Sequence, residues 1–400
     1  MPHKRERYLR ATLNKVLGLS PLVGILGHRQ VGKTTLLESI AKSYFTFDDA
    51  DELLLAKKSA KKYLFERAGD KVALDECQTV EEIFPALKDW VRIHPKPGQF
   101  ILSGSVRFTS RKAIQESLTG RIINLELLPL MISELQSKPL NNFWSYCIKS
   151  DRFSRDFFRN RSNNFAESII KKYFENGGLP GVCFIRDSLL RSKKFNAQIE
   201  TLIDRDLRMV VPTTLPYPQI RLLLQLFADR QGEPINWSEL RSESNISIPT
   251  IKKLAYGFEA IFLLRSLNLE GDIKGPVYYF EDIGELNSIR QRKVNQDDQI
   301  AHFIINHIRG ELTYSPTGQS FRLFQYRTRA GVVVPVCLEM LNEYIGIVPI
   351  EGQTPTRSQM AAGDSFLKKY NRSKVVFTGM RCQNKVINER RVIAALGVTI

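Results

Sequence analysis

The sequence predicts an α/β fold built on a parallel sheet, and three observations carry that prediction. A glycine-rich run, Gly27-His28-Arg29-Gln30-Val31-Gly32-Lys33-Thr34, lies between an apolar pentapeptide, Leu22 to Leu26, and a helix-forming segment that starts at Thr35. A second short apolar run, Lys71-Val72-Ala73-Leu74, ends in two adjacent carboxylates, Asp75 and Glu76. Runs of strand length alternate with helical segments from residue 1 to about 135. Such alternation is the pattern of a parallel sheet covered on both faces.

Leu22 to Leu26 reads as a buried strand. The run after it fits G-x-x-x-x-G-K-[ST], and strand, glycine-rich loop and helix form the context that identifies a phosphate-binding loop. Glycines adopt dihedrals closed to other residues. Successive N–H groups then form a cradle for phosphate oxygens, aided by the following helix. The candidate nucleotide-binding residues are Gly27, His28, Arg29, Gln30, Val31, Gly32, Lys33, Thr34 and Thr35. Lys33 is expected to reach the β- and γ-phosphates, and Thr34 to offer its hydroxyl to Mg²⁺.

Thr46 to Asp49 reads as a strand end. Asp75 and Glu76 close the next strand, at the edge where open α/β sheets bind ligands. Asp75 is the candidate Mg²⁺ ligand. Glu76 is the candidate base that polarises an attacking water. A solvated acidic turn is the plainer alternative. Gln99-Phe100-Ile101-Leu102 is a third strand, running into Ser103-Gly104-Ser105. Ser103, preferred over Ser105, is the candidate γ-phosphate sensor; an ordinary Ser-Gly-Ser turn is the alternative. Arg121 is a candidate arginine finger, in cis or in trans, or a surface residue. Ile122 to Leu127 reads as a further strand, closed by Leu128-Pro129.

A chain of 400 residues exceeds one ordinary core, so two to four domains are expected. Hydrophobic residues at 43% and charged residues at 25% suit a soluble globular protein. No apolar run approaches the ~18 residues of a membrane span. The charged N-terminus lacks the apolar core of a secretory signal. Five scattered cysteines without a C-x-x-C pair suggest reduced thiols and a cytoplasmic protein. The balance of 58 basic and 42 acidic residues gives +16, a field that attracts polyanions. Between Lys149 and Arg161, basic residues interleave with Phe153, Phe157 and Phe158. That pattern suits nucleic-acid contact. It also suits an amphipathic helix with Phe inward, the reading preferred here.

Four domains are expected. Residues 1–135 form the nucleotide-binding core. Residues 136–212 form a helical lid, broken at Gly177-Gly178-Leu179-Pro180-Gly181. Residues 213–273 hold three helices in a winged-helix, helix-turn-helix arrangement, with Lys252 and Lys253 exposed on the recognition helix. Residues 274–400 form a small α+β domain. Its strands are expected near Val277–Phe280, Phe321–Tyr326, Val332–Leu338, Tyr344–Ile350 and, last, Val375–Phe377. Its helices are expected near Gln296–Ile308 and Arg357–Lys369.

The assembled motifs resemble those of prokaryotic AAA-type ATPases, of the AAA+ superfamily, that carry a C-terminal domain of unknown function. Gly27 to Thr35 is close to that family's G-P-R-Q-V-G-K-T-T, with His28 in place of Pro. Leu74-Asp75-Glu76-Cys77-Gln78 resembles its Walker B run, and Leu102-Ser103-Gly104-Ser105 its L-T-G-S. Ser117-Leu118-Thr119-Gly120-Arg121 resembles S-L-A-G-R, and Leu128-Pro129-Leu130-Met131-Ile132-Ser133-Glu134 its L-P-L-S-x-x-E. The resemblance spans residues 1–135, and less specifically the Gly177–Pro180 turn and the three helices. It implies a P-loop NTPase fold, AAA+-like, that binds ATP and Mg²⁺ and hydrolyses ATP. It further implies a homo-oligomer, with a ring as one form, and a restriction-endonuclease-like C-terminal domain. This chain departs from that last pattern. Gly331-Val332-Val333-Val334-Pro335 carries no Asp or Glu, and Ile347-Val348-Pro349-Ile350 no E-x-K. Without paired carboxylates, a hard cation lacks its anchor there. The expectation is a Mg²⁺-dependent ATPase acting on DNA, with a nuclease-like but non-cleaving C-terminal domain. The alternative is a slow regulatory ATPase switch that recruits a protein partner.

Overall fold

A computed structural model describes residues 4–108, 120–154, 156–159, 165–273, 275–293, 295–315 and 320–400. The first sheet holds β1 (Leu22–Leu26), β2 (Ser43–Thr46), β3 (Val72–Asp75), β4 (Phe100–Gly104) and β5 (Ile122–Glu126). All are parallel, in the order β2-β3-β4-β1-β5. Strands β1, β3 and β4 are buried along their whole length. Their near-continuous apolar character follows, because a strand buried on both faces cannot alternate. The glycine-rich loop leaves β1, Asp75-Glu76 leave β3, and Ser103 lies near the end of β4. These three strands are neighbours and share one carboxyl edge, so the order of the sheet gathers motifs about 40 and 75 residues apart.

The chain divides into two compact units. One comprises Met1–Leu130, Leu179–Ile220 and Pro249–Leu263, and the other Met131–Gly178, Arg221–Ile248 and Leu264–Ile400. The Gly177–Gly181 turn, read as a break in a helical run, is where the chain passes from one to the other. Around it the described helices are Phe143–Lys149, Glu167–Asn176 and Ser188–Thr201, followed by a π-helical turn at Leu202–Leu207.

The second unit is built on an eight-stranded mixed sheet. It holds β6 (Leu264–Gly271), β7 (Pro276–Phe280), β8 (Arg322–Arg327), β9 (Val333–Met340), β10 (Glu343–Pro349), β11 (Ser373–Gly379), β12 (Lys385–Asn388) and β13 (Arg391–Ala395), in the order β12-β13-β11-β10-β9-β8-β6-β7. Alternate residues serve two different cores. Ile345, Ile347 and Val376 join Phe303, Ile304 and Ile308 of the helix Gln296–Tyr314. Val348, Val375 and Phe377 join Phe366 and Leu367 of the helix Arg357–Lys369.

Three expectations are corrected here. Helices Tyr217–Asp229, Trp237–Ser244 and Ile248–Ala260 stand where three helices were expected, and Lys252 and Lys253 are exposed. The hairpin that follows them is not a free wing. Its strand β6 pairs with β7 on one side and with β8 on the other, inside the eight-stranded sheet. A domain boundary at 273/274 would cut that hairpin. Second, two further strands, β12 and β13, follow Val375–Phe377, the last strong strand expected. Third, the described residues of the basic, aromatic stretch after Lys149 form no helix. The helix Phe143–Lys149 ends there, and residues 156–159 form turns. Phe153 and Phe157 are buried, with ring centroids 4.7 Å apart and Phe157 also edge-on to Phe143. They are core residues, not platforms for stacking bases. Arg155 and Arg161 lie outside the described residues.

Two buried imidazoles in the second unit set a pH limit. His302 donates from Nε2 to the Phe280 carbonyl (2.7 Å) and accepts at Nδ1 from the Gln231 amide (3.3 Å). His307 donates from Nδ1 to the Phe303 carbonyl (2.8 Å) and accepts at Nε2 from the Ile132 N–H (3.3 Å). A second proton on either ring would face a donor. Burial accordingly pushes both down to about 4 from 6.5. The unfolded chain therefore binds more protons below pH 6.5, and stability is present above that value and lost as pH falls towards 4. The full effect is roughly 3 kcal/mol per ring. Thermal melting should move down between pH 7 and pH 4.5, and a flat profile over that range would remove this assignment.

Candidate functional site

The loop geometry explains its glycines. Gly32 sits at φ +98°, in the left-handed region. Gly27 packs so closely that a Cβ there would lie 2.4 Å from the Leu127 carbonyl oxygen. Gln30 also holds a positive φ, +61°, which non-glycine residues seldom adopt. Lys33, buried, curls back over the loop and donates to the carbonyls of Gly27 and His28, 3.1 Å each. Burial pushes its ammonium below the usual lysine range, against the pull of Glu76, Asp75 and Asp206. A buried cation hydrogen-bonded, among the described residues, to loop carbonyls suits a polyanion better than it suits its present partners.

Asp75 is the hub of the site. Its Oδ2 accepts from the Thr34 hydroxyl and from the Tyr44 phenol, 2.7 Å each. Its Oδ1 accepts from the Glu76 N–H (3.0 Å) and from the Ser103 hydroxyl. A hydroxyl and a carboxylate in contact form the oxygen donor set that a Mg²⁺ ion takes. The residues present therefore fit such an ion, and Thr34 and Asp75 are the pair that would hold it. Ser103 is thus placed on Asp75. Its neighbour Ser105 faces the other carboxylate, donating towards Glu76 at 3.4 Å.

Glu76 stands at φ +56°, left-handed, immediately after β3. Its carboxylate accepts from the Gln78 amide as well as from Ser105. Burial raises its pKa and Asp75 adds to the rise, while Lys33 opposes it. A carboxyl raised in this way is a stronger base at neutral pH.

One charged residue escaped the sequence reading. Asp206, in the Leu202–Leu207 turn, is 1% exposed and pairs with the loop residue Arg29 at 3.4 Å. Ser105 also donates towards it, at 3.4 Å. Burial raises its pKa, against Arg29 and Arg205. From the preceding helix, buried Gln198 reaches His28 Nδ1 (3.4 Å). Its Oε1 is buried without a hydrogen-bond partner among the described residues.

Arg121 lies elsewhere. It precedes β5, whose first residue, Ile122, pairs with Leu22 at the amino end of β1. The loop leaves the opposite end. At ~3.3 Å per residue, roughly 15 Å of sheet separates them. A finger role for Arg121 therefore requires a second copy of the chain. The rest of its motif, Ser117 to Thr119, lies outside the described residues.

Beside the loop is a cleft of about 620 Å³, lined by Arg5, Arg7, Gly32, Thr35, Leu36 and Pro180 among others. Arg7 is buried and donates to the Val31 carbonyl of the loop (2.7 Å).

Residues 19–136 match the family model of an AAA domain. This region is a P-loop ATPase domain. The ATPase domain is followed by a match at residues 167–297 to a domain of unknown function, DUF8612, which runs across the 273/274 boundary and names no nuclease. Over 374 residues the chain is 21% identical to uncharacterized proteins of Mycobacterium tuberculosis and Mycobacterium bovis, covering 88% of this chain and 76% of each relative. Among solved structures it is similar to a Walker-type ATPase of Pyrococcus abyssi (14% identity, TM-score 0.41), over 70% of this chain and 94% of that one. It is also similar to a signal transduction ATPase with numerous domains, bearing a tetratricopeptide repeat sensor, from Pyrococcus horikoshii (14% identity, TM-score 0.30), over 77% of this chain and 45% of that one.

Proposed function

We propose that the chain is a Mg²⁺-dependent ATPase. The observation that carries this reading is the meeting of Lys33, the Thr34–Asp75 pair and Glu76 at one carboxyl edge of the sheet. The backbone from Gly27 to Thr34 cradles the phosphates. Lys33 exchanges its two loop carbonyls for phosphate oxygens and offsets their charge. Thr34 and Asp75 would hold Mg²⁺, which when bound would screen the charge of the polyphosphate and its leaving group. Glu76, ionised, takes a proton from the attacking water, and Lys33 steadies the charge that develops. The nucleoside end lies in the cleft between Leu36, Pro180 and Arg7.

A slow, switch-like cycle is the form the site favours. Glu76 is engaged by Gln78 and Ser105, and Lys33 by the loop, so turnover requires both to change partners. Coupling to DNA is supported by the net charge of +16 and by the exposed Lys252-Lys253 pair. Arg121 acts on the nucleotide of a neighbouring copy, which makes the working form an oligomer. The test is phosphate release from ATP and GTP by the full chain, with and without a chelator and duplex DNA. Hydrolysis of ATP that stops with the chelator is expected, and DNA should raise the rate in a salt-sensitive way. Hydrolysis that persists undiminished in excess chelator would overturn the metal-dependent reading. A rate indifferent to DNA would leave the switch.

A further inference from the structure

Arg29 has one carboxylate partner among the described residues, and it comes from far along the chain. Its guanidinium lies 3.4 Å from both oxygens of Asp206, which is 177 residues away. Arg29 is a loop residue, inside the run that cradles phosphate, and its side chain is 22% exposed. Asp206 is 1% exposed and has no access to bulk water that could screen it. A buried charge of this kind needs its partner. A polyphosphate entering the same loop brings several negative charges to the same guanidinium.

Ser105 ties this pair to the base. Its hydroxyl lies 3.4 Å from Asp206 Oδ2 and 3.4 Å from Glu76 Oε2, and it accepts from the Gln78 amide (3.2 Å). A hydroxyl has one proton to give. Donation to Asp206 and donation to Glu76 are therefore alternatives, and the partner of Asp206 decides which is stronger.

We propose that Asp206 is a positioning residue of the nucleotide site, holding Arg29 in the nucleotide-free protein and competing with the terminal phosphate of ATP for it. The proposal deepens the ATPase reading and rests on it. When the phosphate takes Arg29, Asp206 loses its main cation and draws the Ser105 proton more strongly. Ser105 then lets go of Glu76, which leaves the base free to meet water. The Leu202–Leu207 turn, which also carries Arg205 and its ion pair to Asp48 (2.9 Å), thereby feels whether the loop holds a third phosphate.

The test compares Asp206→Asn, Arg29→Ala and the double variant in the full chain, with fluorescent ATP and ADP analogues and a turnover assay. Asp206→Asn keeps the shape and removes the competing charge. It should tighten ATP by about fivefold or more while changing ADP by less than twofold. In turnover it should lower KM and also lower kcat, because the acceptor that competes with Glu76 for the Ser105 proton becomes an uncharged amide oxygen. In the Arg29→Ala background the same substitution should lose its effect on ATP. An equal change for ATP and ADP, no change at all, or an effect that persists without Arg29 would overturn the proposal. ADP binding by each variant shows that it has folded. A parental chain that binds neither nucleotide fails the ATPase reading itself, a result distinct from every variant outcome.

Discussion

Lys33→Ala is expected to abolish nucleotide binding, with a loss of about 100-fold or more in ATP affinity and no measurable hydrolysis. The buried ammonium is the cation towards which Asp75, Glu76 and Asp206 all pull. In the parent it is held ready, bonded to two carbonyls of the loop it serves. Truncation removes the charge that offsets the phosphates and leaves three carboxylates to repel them. Glu76 and Asp206, whose pKa values Lys33 holds down against burial, then take protons more readily, so the variant should also melt differently from the parent. Titration with a fluorescent ATP analogue measures the first effect. Lys33→Met separates the causes, since it keeps the packed stem and removes only the charge. Affinity retained by Lys33→Met would mean that the ammonium does not meet the phosphates.

Glu76→Gln should do the opposite to binding and the same to turnover. Gln preserves the shape and can still meet Gln78 and Ser105, and it removes one negative charge beside the phosphates. ATP affinity should hold or rise. Hydrolysis should fall by about 100-fold or more, because the amide cannot accept the proton of water. The variant should keep ATP bound through gel filtration, while the parent elutes with ADP. A parental rate in Glu76→Gln would move the base elsewhere. Asp206 is then the residue to test, as the other buried carboxylate within reach of Ser105.

Most of the site was legible in the sequence because most of it is local. The loop from Gly27 to Thr34 reads directly: its dihedrals demand glycine at Gly32, and its contact with Leu127 demands glycine at Gly27. Asp75-Glu76 reads because two adjacent carboxylates at the end of a short apolar run mark the carboxyl edge of a buried strand. Asp206 could not be read this way. It sits in a helical run with other charged residues, and its significance is set by one turn of π-helix packing against a loop 177 residues earlier. A sequence signal existed in hindsight: Ile203-Asp204-Arg205-Asp206-Leu207 places a charged residue where the apolar stripe of the helix would continue. The same limit applies to Phe153 and Phe157. Basic and aromatic residues in alternation have one meaning on a surface and another in a core, and only packing against Phe143 distinguishes them. Likewise β6 has the apolar spacing of either a wing or a sheet strand. Its pairing with β8, more than 50 residues later, decides it.

The division of the chain has a consequence for its birth. It passes between the two compact units at 130/131, 178/179, 220/221, 248/249 and 263/264. Neither unit is a continuous stretch of polypeptide. On the ribosome, the nucleotide-binding unit cannot be completed until Leu263 has emerged, although its loop is made within the first 34 residues. Its early strands must wait, exposed, for partners that come late, which is the situation in which slow folding and chaperone dependence arise. No single cut yields the ATPase unit by itself. A truncation after Glu134, where the motifs end, would lack both Asp206 and the helix Ile248–Ala260, and should be made as insoluble protein rather than as a minimal enzyme.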